Sequence, residues 1–205
     1  MKKGILIFIM MVFVSSCKTS LEKTKNLSKT TSLFNGKDLS GWTIYGTEKW
    51  YVETGQLVCE NGPDNSFGYL ITDKHYKNFE LTLDFKQEKN GNSGIFVHST
   101  IDGSKIKGFQ IEIAPPGHSA GGINYYDRGW LVKPDPEKDK NIKMKEWNQM
   151  KIRLENNKLT SWLNGSQMAT IIDKKIGDSK GSIALQVHGA NVTKIRWRNL
   201  QVIEL

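Results

Sequence analysis

The 205-residue chain has two cysteines, Cys17 and Cys59, and no paired Cys or His at metal-ligand spacing. It also lacks internal repeats, heptads, a Gly-rich phosphate loop and any long stretch of helical period. These absences exclude a solenoid, a coiled coil, a P-loop nucleotide site and a disulfide framework, and they leave no zinc-type ligand set to build on. The apolar run from Gly4 to Val14 is too short for an ordinary membrane span. A strong charge excess is missing from the body as well. The chain carries +8, but residues 1–30 hold six basic residues and one acidic, which leaves +3 for the remainder. That balance does not argue for nucleic acid.

What the N-terminus does contain is a basic MKK, the short apolar run, and Val14-Ser15-Ser16 ahead of Cys17. This order describes a secretory signal over residues 1–16, and the small residues before Cys17 resemble a bacterial lipobox, so Cys17 is expected to be lipidated. Residues 17–31, rich in Lys, Ser and Thr, read as a flexible tether whose charge suits an anionic lipid surface. The expected location is the cell envelope, lipid-anchored in the periplasm or at the outer-membrane surface. Residues 32–205 suit one domain with a sizeable core. Cys59, within Gln56-Leu57-Val58-Cys59-Glu60, reads as a small buried hydrophobe rather than a nucleophile.

Alternation supplies the rest. Trp50 to Val52 and Gln56 to Cys59 read as a hairpin around Glu53-Thr54-Gly55, and Asn78 to Lys86 as a strand with Phe79, Leu81, Leu83 and Phe85 on one face. Further strands are expected at Ser93 to Ser99, Gly108 to Ala114, Trp147 to Leu154, Lys158 to Leu163, Gln167 to Ile172, Gly181 to His188 and Lys194 to Glu204. Lys133 to Lys145, with Pro134 and Pro136, reads as an exposed loop. The fold class is all-β: a two-sheet antiparallel sandwich.

Gly108 to Trp130 is the most informative stretch. Phe109, Ile111 and Ile113 take the core side of a strand, so Gln110 and Glu112 leave it on the other face. Pro115-Pro116-Gly117 then ends the pairing, and a loop with Tyr125, Tyr126, Arg128 and Trp130 follows. On neighbouring strands Asn92 and His98, and Gln186 and His188, also lie opposite apolar residues. Brought to one sheet face, these groups make a polar groove with aromatic walls, which suits a sugar: rings cover the apolar faces of a pyranose while amides, carboxylate and imidazole satisfy its hydroxyls.

The same stretches carry a family resemblance. LFNGKDLSGW, NSGIFVHS, GFQIEIAPPGHSAGGI, RGWL, EWNQMKIRL and LQVHG followed by RWRNL resemble, over Leu33 to Leu205, the 3-keto-disaccharide hydrolase family, formerly a domain of unknown function. The resemblance implies a concanavalin-like jelly roll, often on secreted or lipid-anchored bacterial proteins, that cleaves 3-keto-glycosides. Matched motif by motif, Asn92, Gln110, Glu112, Arg128, Gln186 and His188 fall in the family's polar signature. His98 departs from it, standing where the family often has Arg, and so does Asn124 to Asp127, where many members place a Tyr and a carboxylate.

A ketone at C3 acidifies the C2 proton, so cleavage can run by proton removal, expulsion of the C1 substituent and addition of water. In that scheme His188 is the base, Glu112 the acid or its exchange partner, and Arg128 with Asn92 the enolate stabiliser; His98, Gln110, Tyr125, Trp130 and Gln186 bind substrate. No cofactor is expected, and a divalent metal stays open. An ordinary retaining glycosidase would need a second nearby carboxylate, yet Glu112 is flanked on its face by Gln110 and Ala114. The other reading is a non-catalytic carbohydrate-binding lipoprotein.

Overall fold

A computed structural model describes residues 29–205 apart from Ser104, Ala190 and Asn191. The expected signal segment and Cys17 lie outside the described residues. Fifteen strands and two short helices are defined among the described residues: β1 (Thr30–Ser32), β2 (Trp42–Tyr45), β3 (Lys49–Glu53), β4 (Gln56–Glu60), β5 (Gly68–Thr72), β6 (Phe79–Gln87), β7 (Ser93–Asp102), β8 (Lys105–Ile113), β9 (Ile123–Tyr125), β10 (Gly129–Val132), α1 (Pro136–Asp139), β11 (Asn148–Glu155), β12 (Lys158–Leu163), β13 (Ser166–Ile172), α2 (Lys174–Asp178), β14 (Ser182–Val187) and β15 (Lys194–Glu204).

They pair antiparallel into two sheets. One runs β13-β12-β11-β6-β15-β4-β3 with β1 beside β15; the other runs β10-β9-β8-β7-β14-β5-β2. Because β1 pairs with β15, the sheet begins at Thr30, inside the segment expected to be tether. Tight turns close the hairpins at positive φ, at Asn164-Gly165 between β12 and β13, where both residues suit it, and at Thr54-Gly55 between β3 and β4, where a β-branched threonine takes φ +49.

The core fills the space between the sheets. Phe79, Leu81, Leu83 and Phe85 of β6 face Phe109, Ile111 and Ile113 of β8 and Ile183, Leu185 and Val187 of β14, all at most 1 % exposed. Each such side chain contributes about 1.5–3 kcal/mol on burial, so a one-residue slip of β8 or β14, which would swap every inward residue for its neighbour, is strongly disfavoured. Register is therefore the device that sends Glu112 and Gln186 to the opposite face. Cys59 is fully buried, and burial pushes its thiol up to about 12, as a structural cysteine requires.

Lys133 to Lys145 is not a plain exposed loop. Asp135 caps the single turn α1, accepting the Glu137 N–H at 2.9 Å, and Asp139 at its end is buried. The Asp139 carboxylate accepts the N–H groups of Gly117 (2.6 Å), Ser119 (3.2 Å) and Ala120 (2.9 Å), pinning the loop that follows β8. That loop then returns to β8: Gly121 N–H donates to the Glu112 carbonyl at 2.8 Å, and Glu112 N–H to the Gly122 carbonyl at 3.0 Å. Asp139→Ala would strand the buried Ala120 donor and two part-buried ones, at up to about 1–3 kcal/mol each before water and relaxation repair them, so a loss of roughly 2–4 kcal/mol is expected in denaturant titration. A loss under about 0.5 kcal/mol would contradict this role.

Candidate active site

The outer face of the second sheet carries the candidate site. Antiparallel register sets Glu112 of β8, Gly94 of β7, Gln186 of β14 and Tyr69 of β5 in one row across four strands. The absent side chain of Gly94 matters here. A Cβ there would lie 2.6 Å from Gln110 Nε2, so glycine alone lets the Gln110 amide lie across the row. From that position Gln110 Nε2 donates to Glu112 Oε2 and to Gln186 Oε1, each at 3.1 Å. Asn124 of β9 donates to Glu112 Oε2 at 3.4 Å, and the Asn92 amide donates to Glu112 Oε1.

Glu112 is thus ringed by amides and is only 5 % exposed. Burial pushes its carboxyl up to about 7, opposed only in part by the Asn92 hydrogen bond. Asn92 Oδ1 is buried without a partner among the described residues. A half-turn of that amide would present Oδ1 as an acceptor to the protonated carboxyl, so the site can hold either protonation state.

His188 stands on the same face, two residues beyond Gln186. Its backbone N–H donates to the Asn92 carbonyl at 3.3 Å, which ties it to the residue that also holds Glu112. Its ring meets Phe67 edge-on with centroids 4.4 Å apart, and burial lowers its pKa, which keeps the imidazole neutral at neutral pH. A pocket of about 300 Å³ opens over the network, lined by Phe67, Tyr69, Phe96, Gln110, Asn124, Tyr126 and Gln186 among others. Its floor is apolar, since Tyr69, Phe96, Ile106, Ala184 and Ile71 form a second cluster on this face. A larger cavity of about 460 Å³ lies beside Asp73 and His75, toward the start of β14, but neither Glu112 nor any of its amide partners lines it.

The sequence-predicted residues divide. Asn92, Gln110, Glu112 and Gln186 form one network with His188 beside it. Trp130 sits at its edge, paired across from Asn124, with its ring over Gly122, where a Cβ would come within 2.8 Å of Cζ3. Three others are placed elsewhere. His98 has φ +49 at a register shift in β7, and this bulge turns its ring off the outer face to bond the Lys77 carbonyl (2.7 Å) and Ser179 Oγ (2.9 Å), near the core ring of Phe79.

Tyr125 is in β9, not a loop, and pairs with Phe109; its ring packs on Phe109 at 4.7 Å, on the core side. Arg128 is committed to Asp173, the cap of α2, at 2.7 Å, and lies over the Tyr125 ring at 4.7 Å. It does not line the pocket. Tyr126, expected as part of an aromatic wall, does line the pocket, while sequence reasoning missed Phe67, Tyr69 and Asn124 as lining residues. The signal for two of them was present: Tyr69 alternates with the core residue Leu70 in GYLIT, and Asn124 with Ile123 in INY.

The sequence profile described as the 3-keto-alpha-glucoside-1,2-lyase-like domain matches residues 29–203. The chain belongs to that family. A relative from Bacteroides thetaiotaomicron, named 3-keto-disaccharide hydrolase, is 40 % identical over 75 residues, which cover 32 % of this chain and 26 % of that protein. The match thus spans about a quarter of the curated relative's length. Among solved structures, a candidate glycosyl hydrolase from Parabacteroides distasonis superposes with TM-score 0.65 at 26 % identity, over 86 % of this chain and 100 % of the other. A carbohydrate-binding module from Bacillus subtilis superposes with TM-score 0.63 at 13 % identity, over 82 % and 98 %. At that identity the likeness concerns the fold, a concanavalin-like jelly roll.

Proposed function

We propose that the domain cleaves 3-keto-glycosides by proton abstraction at C2, elimination and hydration. The observation that carries this reading is the buried Glu112, held by amides and raised to about 7, with a neutral imidazole on the same face. His188 takes the C2 proton, and the C–H electron pair becomes the C2=C3 bond of an enolate. As the enolate collapses, the C3 carbonyl re-forms, C1=C2 forms, and the C1–O bond breaks toward the leaving oxygen, which takes the Glu112 proton. Water then adds at C1 of the enone. Glu112 as carboxylate accepts its proton, and His188 returns a proton to C2, which regenerates both groups.

Direct hydrolysis by a carboxylate pair is disfavoured. No carboxylate lines the pocket itself among the described residues, Glu112 meeting it through the lining amides Gln110 and Asn124, and the other buried glutamate, Glu48, packs its carboxylate against Gly68 at a register position opposite the core residue Val187. The family membership and the curated relative's name support a 3-keto sugar as substrate. Carbohydrate binding without catalysis is the second reading, favoured by the likeness to a binding module. Incubation with 3-keto-glycosides and their unoxidised parents separates the two: release of the aglycone only from the oxidised series supports the enzyme, and tight binding of both without release supports the binder.

Anchoring through Cys17 belongs to the same proposal, since a cell-envelope location would place the domain among exogenous glycosides. Cys17→Ser is expected to move the protein from the membrane to the soluble fraction. A variant that stays membrane-bound would contradict the anchor.

A further inference from the structure

With Arg128 committed to Asp173, the enolate needs another partner. We propose that the Tyr69 hydroxyl is that partner, a catalytic residue that donates its hydrogen bond to the C3 oxygen as negative charge gathers there; the assignment rests on the 3-keto-glycoside reading above. Tyr69 stands directly opposite Gln186 in the β5–β14 register, and both line the pocket over Glu112. It is 7 % exposed, and its ring is fixed edge-on against Phe96 with centroids 5.7 Å apart.

Its place among the lining groups is what singles it out. Gln110 and Asn124 spend amide hydrogens on Glu112, and Gln186 Oε1 already accepts from Gln110. Two hydroxyls line the pocket, and Tyr126 is 44 % exposed, whereas Tyr69 is buried. Burial raises the pKa of Tyr69, so it stays a protonated donor across the working range.

Charge balance favours a neutral donor. A cation fixed beside the enolate would also pull Glu112 down and deprotonate the acid that the leaving group needs. Lys105, the cation that lines the pocket, is exposed at its mouth, where water screens it. A buried donor in the pocket wall, its ring fixed against Phe96, needs little reorganisation as the charge forms.

Tyr69→Phe keeps the ring and its contact with Phe96 and removes the O–H. It is expected to lower kcat on 3-keto-glycosides about 10²–10³-fold, the usual worth of one such donor, and to slow C2 hydrogen exchange in the same proportion. KM and affinity for the unoxidised parent glycoside should stay as in the wild type, and Tyr69→3-fluorotyrosine should recover the lost activity. Wild-type exchange in Tyr69→Phe would overturn the assignment while leaving the roles of Glu112 and His188 standing. Parallel loss of parent-glycoside affinity, or no recovery with fluorotyrosine, would mark a structural role and overturn it too. Absence of C2 exchange in the wild type itself removes the underlying reading and Tyr69 with it.

Discussion

His188→Ala lowers turnover of a 3-keto-glycoside roughly 10²–10⁴-fold, the usual contribution of a positioned general base. The expectation follows from place and protonation together. His188 borders the pocket through Phe67, its backbone is tied to Asn92, and burial lowers its pKa so that it is unprotonated where it must accept a proton. Removing the imidazole leaves the Glu112 network untouched, because Gln110, Asn92 and Asn124 make those bonds without it. Ground-state binding should therefore change far less than kcat, and added imidazole should restore part of the rate. Equal losses in kcat and affinity would place His188 in binding rather than in proton transfer.

Glu112→Gln has a larger set of consequences. The acid is lost, so turnover should fall by about 10²–10⁴-fold for a poor leaving group and least for an activated aryl aglycone. In the wild type, kcat/KM should decline above pH about 7 as Glu112 ionises, and below the lowered pKa of His188 as that base is protonated. Glu112→Gln should abolish the alkaline limb alone.

Stability gives an independent readout of the same group. Its folded pKa of about 7 lies above the ordinary 4.5, so the folded state binds the proton more tightly. The resulting stabilisation is fully present below pH 4.5 and is lost as pH rises through 7, by on the order of 3 kcal/mol for an upward shift of this size. The glutamine variant should lack that dependence. Identical pH–stability curves for the two proteins would mean that Glu112 is not held protonated by burial.

Much of this arrangement is written in strict alternation. β6, β8 and β14 each place bulky aliphatic or aromatic residues at every second position, and the burial cost of the wrong register fixes the outward direction of Gln110, Glu112 and Gln186 without further information. Where alternation fails, the sequence is mute. His98 continues the period of Asn92, Gly94 and Phe96, but a left-handed non-glycine residue at a bulge breaks the period, and nothing in VHST announces it. Tyr125 turns to the core and Asn124 to Glu112, against expectation for Tyr125, because a three-residue strand inside a Gly- and Tyr-rich stretch is too short to stand out from a loop. The Arg128 partner, Asp173, is 45 positions away on a helix cap, a distance no local pattern spans. Asp139 behaves the same way, reading as one charge among many until the fold brings it under the loop at Gly117.

The central claim is that chemistry begins with the C2 proton of a 3-keto sugar. The measurement that tests it most directly is turnover of a 3-keto-glycoside in deuterium oxide, with the released and recovered sugars analysed for isotope position. Deuterium at C2, at a rate that falls with His188→Ala, is the predicted result. Cleavage with no deuterium at C2, together with release of aglycone from the unoxidised parent, would contradict it.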